Sequence, residues 1–344
     1  MLSRNVKRAV VLISSICMIG CSNRQAVVSD SNQDVYSNQD VYSSQDTDNS
    51  QREEEVSKVI LDEVVKEDTE DETIVEDIEF DITADEDTLL ECQEEQPYQF
   101  RFVDVFGEEY ETEIKVDFPK TEYQNDKFRF EDDRTVYDDD VYYTRQGIDV
   151  SNYQGIVDWD KVKASGIDFA IIRIGYRGYG KSGSLNVDKE FRRNIENAKA
   201  AGLYVGVYFF AQAVNEEEAI EEARFVLSNL EGYELELPIV YDPESILDVP
   251  ARTDNVTAEQ FTKNTVAFCE AVKAAGYEPM IYANMLWQAF ELDMELLNEY
   301  QFWYADYEQL PQTPYKYTIW QYSNTGHVDG VKGEVDLDIE FIKK

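Results

Sequence analysis

The chain has 344 residues and a formal net charge of −41, with 72 acidic side chains against 31 basic ones. That length suits one large domain with accessory segments, and with no basic patch the chain is a poor partner for nucleic acid or anionic lipid headgroups. A single histidine and four cysteines leave little for a Ser-His-Asp or Cys-His system or a His-ligated zinc, because His327 follows Ser-Asn-Thr-Gly in a turn-like stretch.

At the N-terminus, Arg4, Lys7 and Arg8 precede the apolar run from Ala9 to Ile19, the layout of an export signal. The run is too short for a permanent membrane span. It ends in Met18-Ile-Gly-Cys21, which resembles the lipobox of bacterial lipoproteins. The resemblance implies a signal over residues 1–21, lipidation of Cys21, and an exported protein anchored at the cell surface, with plain secretion as the alternative. Next, Ser31-Asn-Gln-Asp-Val-Tyr36 repeats as Ser37-Asn-Gln-Asp-Val-Tyr42. Acidic residues then dominate, a composition that cannot offset chain entropy by burial, so residues 22–96 read as a disordered tether. Cys92 lies in that tether and Cys269 in a helical pattern, so no bridge between them is expected.

Composition changes at Pro97. Alternating segments around Gly107-Glu-Glu suggest a hairpin, too small to stand alone, and residues 97–143 read as a small β-rich accessory region with no assigned chemistry. From Gly147 to the end at residue 344, apolar runs alternate with helical patterns: Gly147 to Val150, Phe169 to Ile174, Tyr204 to Phe210, Ile239 to Tyr241 and Pro279 to Tyr282, separated by helices over Trp159 to Ala164, Lys189 to Ala201, Asn215 to Leu230 and Thr257 to Ala275. A shorter helix near Leu286 to Asn298 precedes three strands with little helix, Phe302 to Tyr307, Tyr317 to Tyr322 and Val335 to Ile339. Alternation of this kind implies parallel pairing. Five βα units followed by three strands predict an α/β fold, a modified TIM-type barrel closed by eight strands. The stretch from Arg173 to Gly180 reads as a flexible loop beside the cleft, not as a phosphate cradle.

Ile239-Val-Tyr-Asp-Pro-Glu244 ends a buried run in two carboxylates two positions apart. Residues i and i+2 of a strand point the same way, so Asp242 and Glu244 should share one cavity. Repulsion and desolvation there raise a carboxyl pKa and keep a proton donor loaded, the equipment for cleaving a glycosidic bond. Asp149 ends the first barrel strand and Asp336 lies on the last. Closure makes those strands neighbours, so four acids of one sign should converge without a basic partner.

The ordered motifs Gly147-Ile-Asp-Val-Ser-Asn-Tyr-Gln-Gly155, Tyr208-Phe-Phe-Ala211, Asp242-Pro-Glu244, Phe302-Trp-Tyr-Ala-Asp-Tyr307, Trp320-Gln-Tyr-Ser323 and Val335-Asp-Leu-Asp338 resemble those of family 25 glycoside hydrolases, lysozymes that cut peptidoglycan as N-acetylmuramidases. The resemblance implies Glu244 as acid/base, Asp242 as its partner carboxylate, and Asp149 and Asp336 as flanking acids. It also implies retention of configuration, with either the substrate's 2-acetamido group or Asp242 as nucleophile. Asp338 stands where the family often has asparagine, and would push the Glu244 pKa up if it faced the cleft. Tyr208, Tyr282 and Trp303 are candidates for binding sugar, whereas Trp320 reads as core. The expected partners are peptidoglycan glycan strands and, through Cys21, a membrane. No nucleic acid, cofactor or metal is expected, and the chain should act as a monomer. Two other readings carry a test: a non-catalytic glycan-binding module, which dye release from labelled peptidoglycan would exclude, and a calcium site, which activity in a chelator would exclude.

Overall fold

The computed structural model describes residues 99–344 except 116, 132 and 248. The expected signal, Cys21, the tether and Cys92 therefore lie outside the described residues. Four short strands come first: β1 (Gln99–Val103) pairs antiparallel with β2 (Glu109–Glu113), and β3 (Phe128–Glu131) with β4 (Arg134–Tyr137). The barrel follows as β5 (Tyr142–Val150), α1 (Trp159–Ala164), β6 (Phe169–Arg177), β7 (Leu185–Val187), α2 (Phe191–Ala200), β8 (Tyr204–Ala211), α3 (Glu216–Asn229), β9 (Ile239–Pro243), α4 (Ala258–Ala274), β10 (Pro279–Asn284), β11 (Gln301–Ala305), β12 (Ile319–Gly326) and β13 (Val335–Lys343). The helices start where the sequence offers caps. Side chains of Asp158, Asn215 and Thr257 accept the free backbone N–H of Lys161, Glu218 and Gln260, satisfying donors that lack an intrahelical partner. Past their ends, Gly202 and Gly276 adopt φ of 81° and 85°, the left-handed turn that glycine makes without strain.

Eight strands close the sheet in the order β5, β13, β12, β11, β10, β9, β8, β6, with β6 returning to β5 and β7 added antiparallel to β6. Two findings depart from the sequence reading. β13 runs antiparallel to both its neighbours. The connection from Gly326 to Val335 is too short for the dozen or more residues of a parallel crossover. Reversal puts the beginning of β13, and with it Asp336, at the rim where the parallel strands end. Secondly, Arg173 to Arg177 belongs to β6 and is not a loop. Burial along nearly the whole strand, with β7 paired to Gly175–Arg177, holds that stretch extended. The expected short helix after β10 is a π turn at Trp287–Glu291 and a 3-10 turn at Met294–Leu297.

The helix-poor arc of the barrel still needs cover on its outer face. The segment between β2 and β5 supplies it. Phe118 meets Phe302 edge-on at 5.7 Å, Tyr123 stacks on Phe341 at 3.8 Å, and Phe128 meets Trp320 at 5.5 Å. Trp320 is fully buried, as expected of core. The accessory strands thus do on one side what α2, α3 and α4 do on the other, bury apolar side chains that point out of the barrel.

Candidate active site

Strand alternation sorts the inward side chains. The lower barrel is filled by Phe169, Ile171, Val240, Met280 and Ile319, with Trp303 and Tyr282 above them. Gly147 is part of that fit, because a Cβ there would lie 2.1 Å from the Phe169 ring. The next inward positions open into a cleft at the rim. All seven candidates come together there: Asp149, Asp242, Glu244 and Asp336, with Tyr208, Tyr282 and Trp303. Asp149 lies opposite Asp336 in the β5–β13 register. Asp242 and Glu244 project from the end of β9, bordered by β8 and β10.

Electrostatics follow from this crowding. Burial raises the Asp149 carboxyl to about 7; a hydrogen bond from Gln321 opposes the shift, Glu244 adds to it and Arg173 opposes it. Asp242 is pushed well above the usual carboxylate range by burial, then by Glu244 and Asp149. Asp336 is raised by burial, then by Asp149 and Glu244. These acids lie close enough that each raises the others, so the loss of a proton from one disfavours the loss of a proton from its neighbours. The Glu244 main-chain oxygen accepts a 2.7 Å bond from Gln212 Nε2, and Thr253 Oγ1 donates to the Gln212 side-chain oxygen at 3.0 Å. Asp242 Oδ1 has no hydrogen-bond partner among the described residues.

Asp338 lies under the cleft, not in it. It is fully buried, accepts a 2.8 Å bond from Trp303 Nε1, and is raised well above its ordinary pKa by burial, then by Asp149 and Asp336. Burial thus favours its neutral form, where the sequence led to a charge acting on Glu244. Trp303 is the floor of the site, edge-on to Tyr208 at 6.0 Å and to Tyr282 at 4.8 Å. Tyr208 is half-buried and presents its ring at the cleft wall.

A match to the family model for glycosyl hydrolases family 25 spans residues 148–331. The chain belongs to that family. Asp149, Asp242 and Glu244 fall inside the matched span and Asp336 just beyond it. The Escherichia coli K12 protein YegX is 31% identical over 206 residues, covering 57% of this chain and 70% of its own. Lysozyme M1 of Streptomyces globisporus is 29% identical over 226 residues, covering 60% and 70%. The spore cortex lytic enzyme SleM of Clostridium perfringens shares the fold, with a TM-score of 0.50 at 20% identity over 57% of this chain and 67% of that one. This family 25 chain is a glycoside hydrolase of the lysozyme type.

Several cleft residues of the family 25 enzyme escaped the sequence reading. The acids do have a cation: Arg173 lines the cleft, bound to Asp188 at 2.7 Å and to Asn152, which corrects the expectation of four acids without a basic partner. Gln321 donates to Asp149 Oδ2 at 2.6 Å while its oxygen accepts from the hydroxyls of Tyr282 and Tyr307 at 2.9 and 2.8 Å. A hydroxyl can donate or accept, whereas an ionised carboxylate only accepts, so the amide N–H faces Asp149 and both hydroxyls donate to its oxygen. Trp320-Gln-Tyr-Ser323 contained this residue, but an amide has no spacing signature. His327 is exposed and lines no part of the cleft. Cys269 is buried with a free thiol. Among the described residues no group of three or more His, Cys, Asp or Glu side chains is arranged to hold a metal ion.

Proposed function

We propose that this family 25 enzyme is a cell-surface muramidase that cleaves the β-1,4 bond between N-acetylmuramic acid and N-acetylglucosamine, with Glu244 as proton donor. The observation that carries the reading is the meeting of Asp242 and Glu244 from the end of β9 with Asp149 and Asp336 from β5 and β13 in one cleft. Glu244 protonates the bridging oxygen while positive charge develops at the anomeric carbon, and the remaining carboxylates stabilise that charge. The unpartnered Oδ1 of Asp242 suits an acceptor for the N–H of a 2-acetamido group, orienting its oxygen for internal attack with overall retention. Tyr208 offers a ring to the sugar face. Anchoring through Cys21 places the reaction at the envelope.

Mass analysis of fragments from purified peptidoglycan tests the bond assignment. New reducing ends on N-acetylmuramic acid are expected. New reducing ends on N-acetylglucosamine would make the enzyme a glucosaminidase instead. The anchor is tested separately with Cys21→Ala, whose precursor should not be lipidated; equal retention in the membrane fraction, with the signal shown to be cleaved, would remove the lipid from the account.

A further inference from the structure

A second cavity opens beside the catalytic cleft, between the tip of the β1–β2 hairpin and the ends of β10 and β11. It lies outside the part of the chain that matches the family on one of its walls, because residues 103–106 precede the matched span. Asn324 lines both hollows. Tyr307 links them too, its ring forming part of the second cavity while its hydroxyl reaches Gln321 in the first. The two hollows are therefore neighbours that share a wall.

The hairpin tip is built to hold its shape. Asp104 Oδ1 accepts the backbone N–H of Phe106 and Glu108 at 2.9 and 3.0 Å, and its Oδ2 accepts the Tyr110 hydroxyl. Gln312 then clamps the hairpin to the barrel like a missing strand partner: its side chain accepts from Val103 N at 2.8 Å and donates to Val103 O at 3.0 Å. Phe102 and Tyr110 pack on Phe290 beneath. Yet Val105 and Phe106, at the end of this rigid arm, remain 40% and 54% exposed. Large apolar side chains fixed in water at the edge of a cavity are a binding surface in waiting.

We infer that the β1–β2 hairpin forms an additional subsite for a sugar of the glycan strand beyond those at the cleaved bond, with Phe106 against its apolar face. The lining combines that apolar tip with side-chain amides of Asn284 and Asn324, the pairing of flat apolar contact and hydroxyl-binding groups that a pyranose requires. Adjacency to the catalytic cleft across Asn324 selects the occupant, since a polymer cut in the first hollow extends beyond it and the second hollow lies beside its edge. This inference rests on the glycan-cleaving function proposed above.

The test compares Phe106→Ala with the unaltered full chain on two substrates: long glycan strands stripped of peptide by an amidase, and an aryl glycoside of the disaccharide that fills only the catalytic cleft. Loss of one aromatic contact should lower kcat/KM on the long strands about three- to tenfold, mainly through KM, and leave the aryl glycoside unchanged. Phe106→Trp should restore the long-strand value. Equal loss on both substrates, or none on either, would overturn the subsite. A loss confined to strands that still carry peptide would overturn the sugar as occupant. An unaltered enzyme that cleaves neither substrate would instead sink the muramidase reading on which the inference depends.

Discussion

Two sets of buried carboxylates occupy this barrel, and they are neutralised differently. Glu222, Asp188 and Glu340 each face an arginine: Arg177 at 2.8 Å, Arg173 at 2.7 Å and Arg145 at 2.5 Å. Arg177 is in turn held by the carbonyls of Gly183 and Glu218 and by Glu221. Asp149, Asp242 and Asp336 at the mouth have no ion pair of their own among the described residues. Their nearest cation, Arg173, is bonded to Asp188 and Asn152 and only partly offsets the rise in Asp149 and Asp242. Buried acids with dedicated partners hold the fold in register. Acids crowded together without them cost stability, and persist where their protons have work to do.

The sharpest way to break the comparison is to exchange the outcomes of mutation in the two sets. Arg177→Ala leaves Glu222 buried without its partner and should destabilise the protein by about 3–5 kcal/mol, read by chemical denaturation. Asp242→Asn should do the reverse, lowering turnover on peptidoglycan about a hundredfold with no loss of melting temperature at neutral pH. Should Asp242→Asn unfold the protein as readily as Arg177→Ala, the distinction would be void.

The smallest effect is the most diagnostic. Asp149 has a folded pKa of about 7, above its ordinary value of 3.8. The native state therefore binds more protons than the unfolded chain between those values, and stability falls as pH rises through that window. The contribution is fully present below about pH 4 and lost by passing about pH 7. Asp149→Asn removes the titrating group, so its melting temperature should exceed that of the unaltered protein at pH 8, with the gain shrinking toward pH 4. A gain that is constant with pH would place its cause elsewhere.

How much of this was legible beforehand depended on whether a residue's role was local. Apolar runs marked every barrel strand, and Ala-Gly pairs marked two helix ends, because those signals lie within a few residues. The i, i+2 spacing of Asp242 and Glu244 likewise placed both on one face of one strand. Asp336 was placed correctly for an incomplete reason. Closure makes β13 a neighbour of β5, but only its reversal brings the start of the strand to the mouth, and the eight-residue connection between Gly326 and Val335 is what forces that reversal. Arg173 falls both in the apolar run Phe169 to Ile174 and at the start of the Gly-rich stretch read as a loop, and only the structure extends the strand to Arg177. Gln321, Gln212 and Tyr307 act across the barrel on residues far away in the chain, and nothing local distinguishes such an amide or hydroxyl from any other.

The central claim is that Glu244 delivers the proton to the departing sugar. Glu244→Gln tests it most directly when first-turnover rates are compared on glycan strands and on a dinitrophenyl glycoside, whose leaving group departs without protonation. The expected result is a loss of about 10²–10⁴ on the strands and little loss on the activated substrate. An equal loss on both, or undiminished cleavage of the strands, would contradict the role given to Glu244.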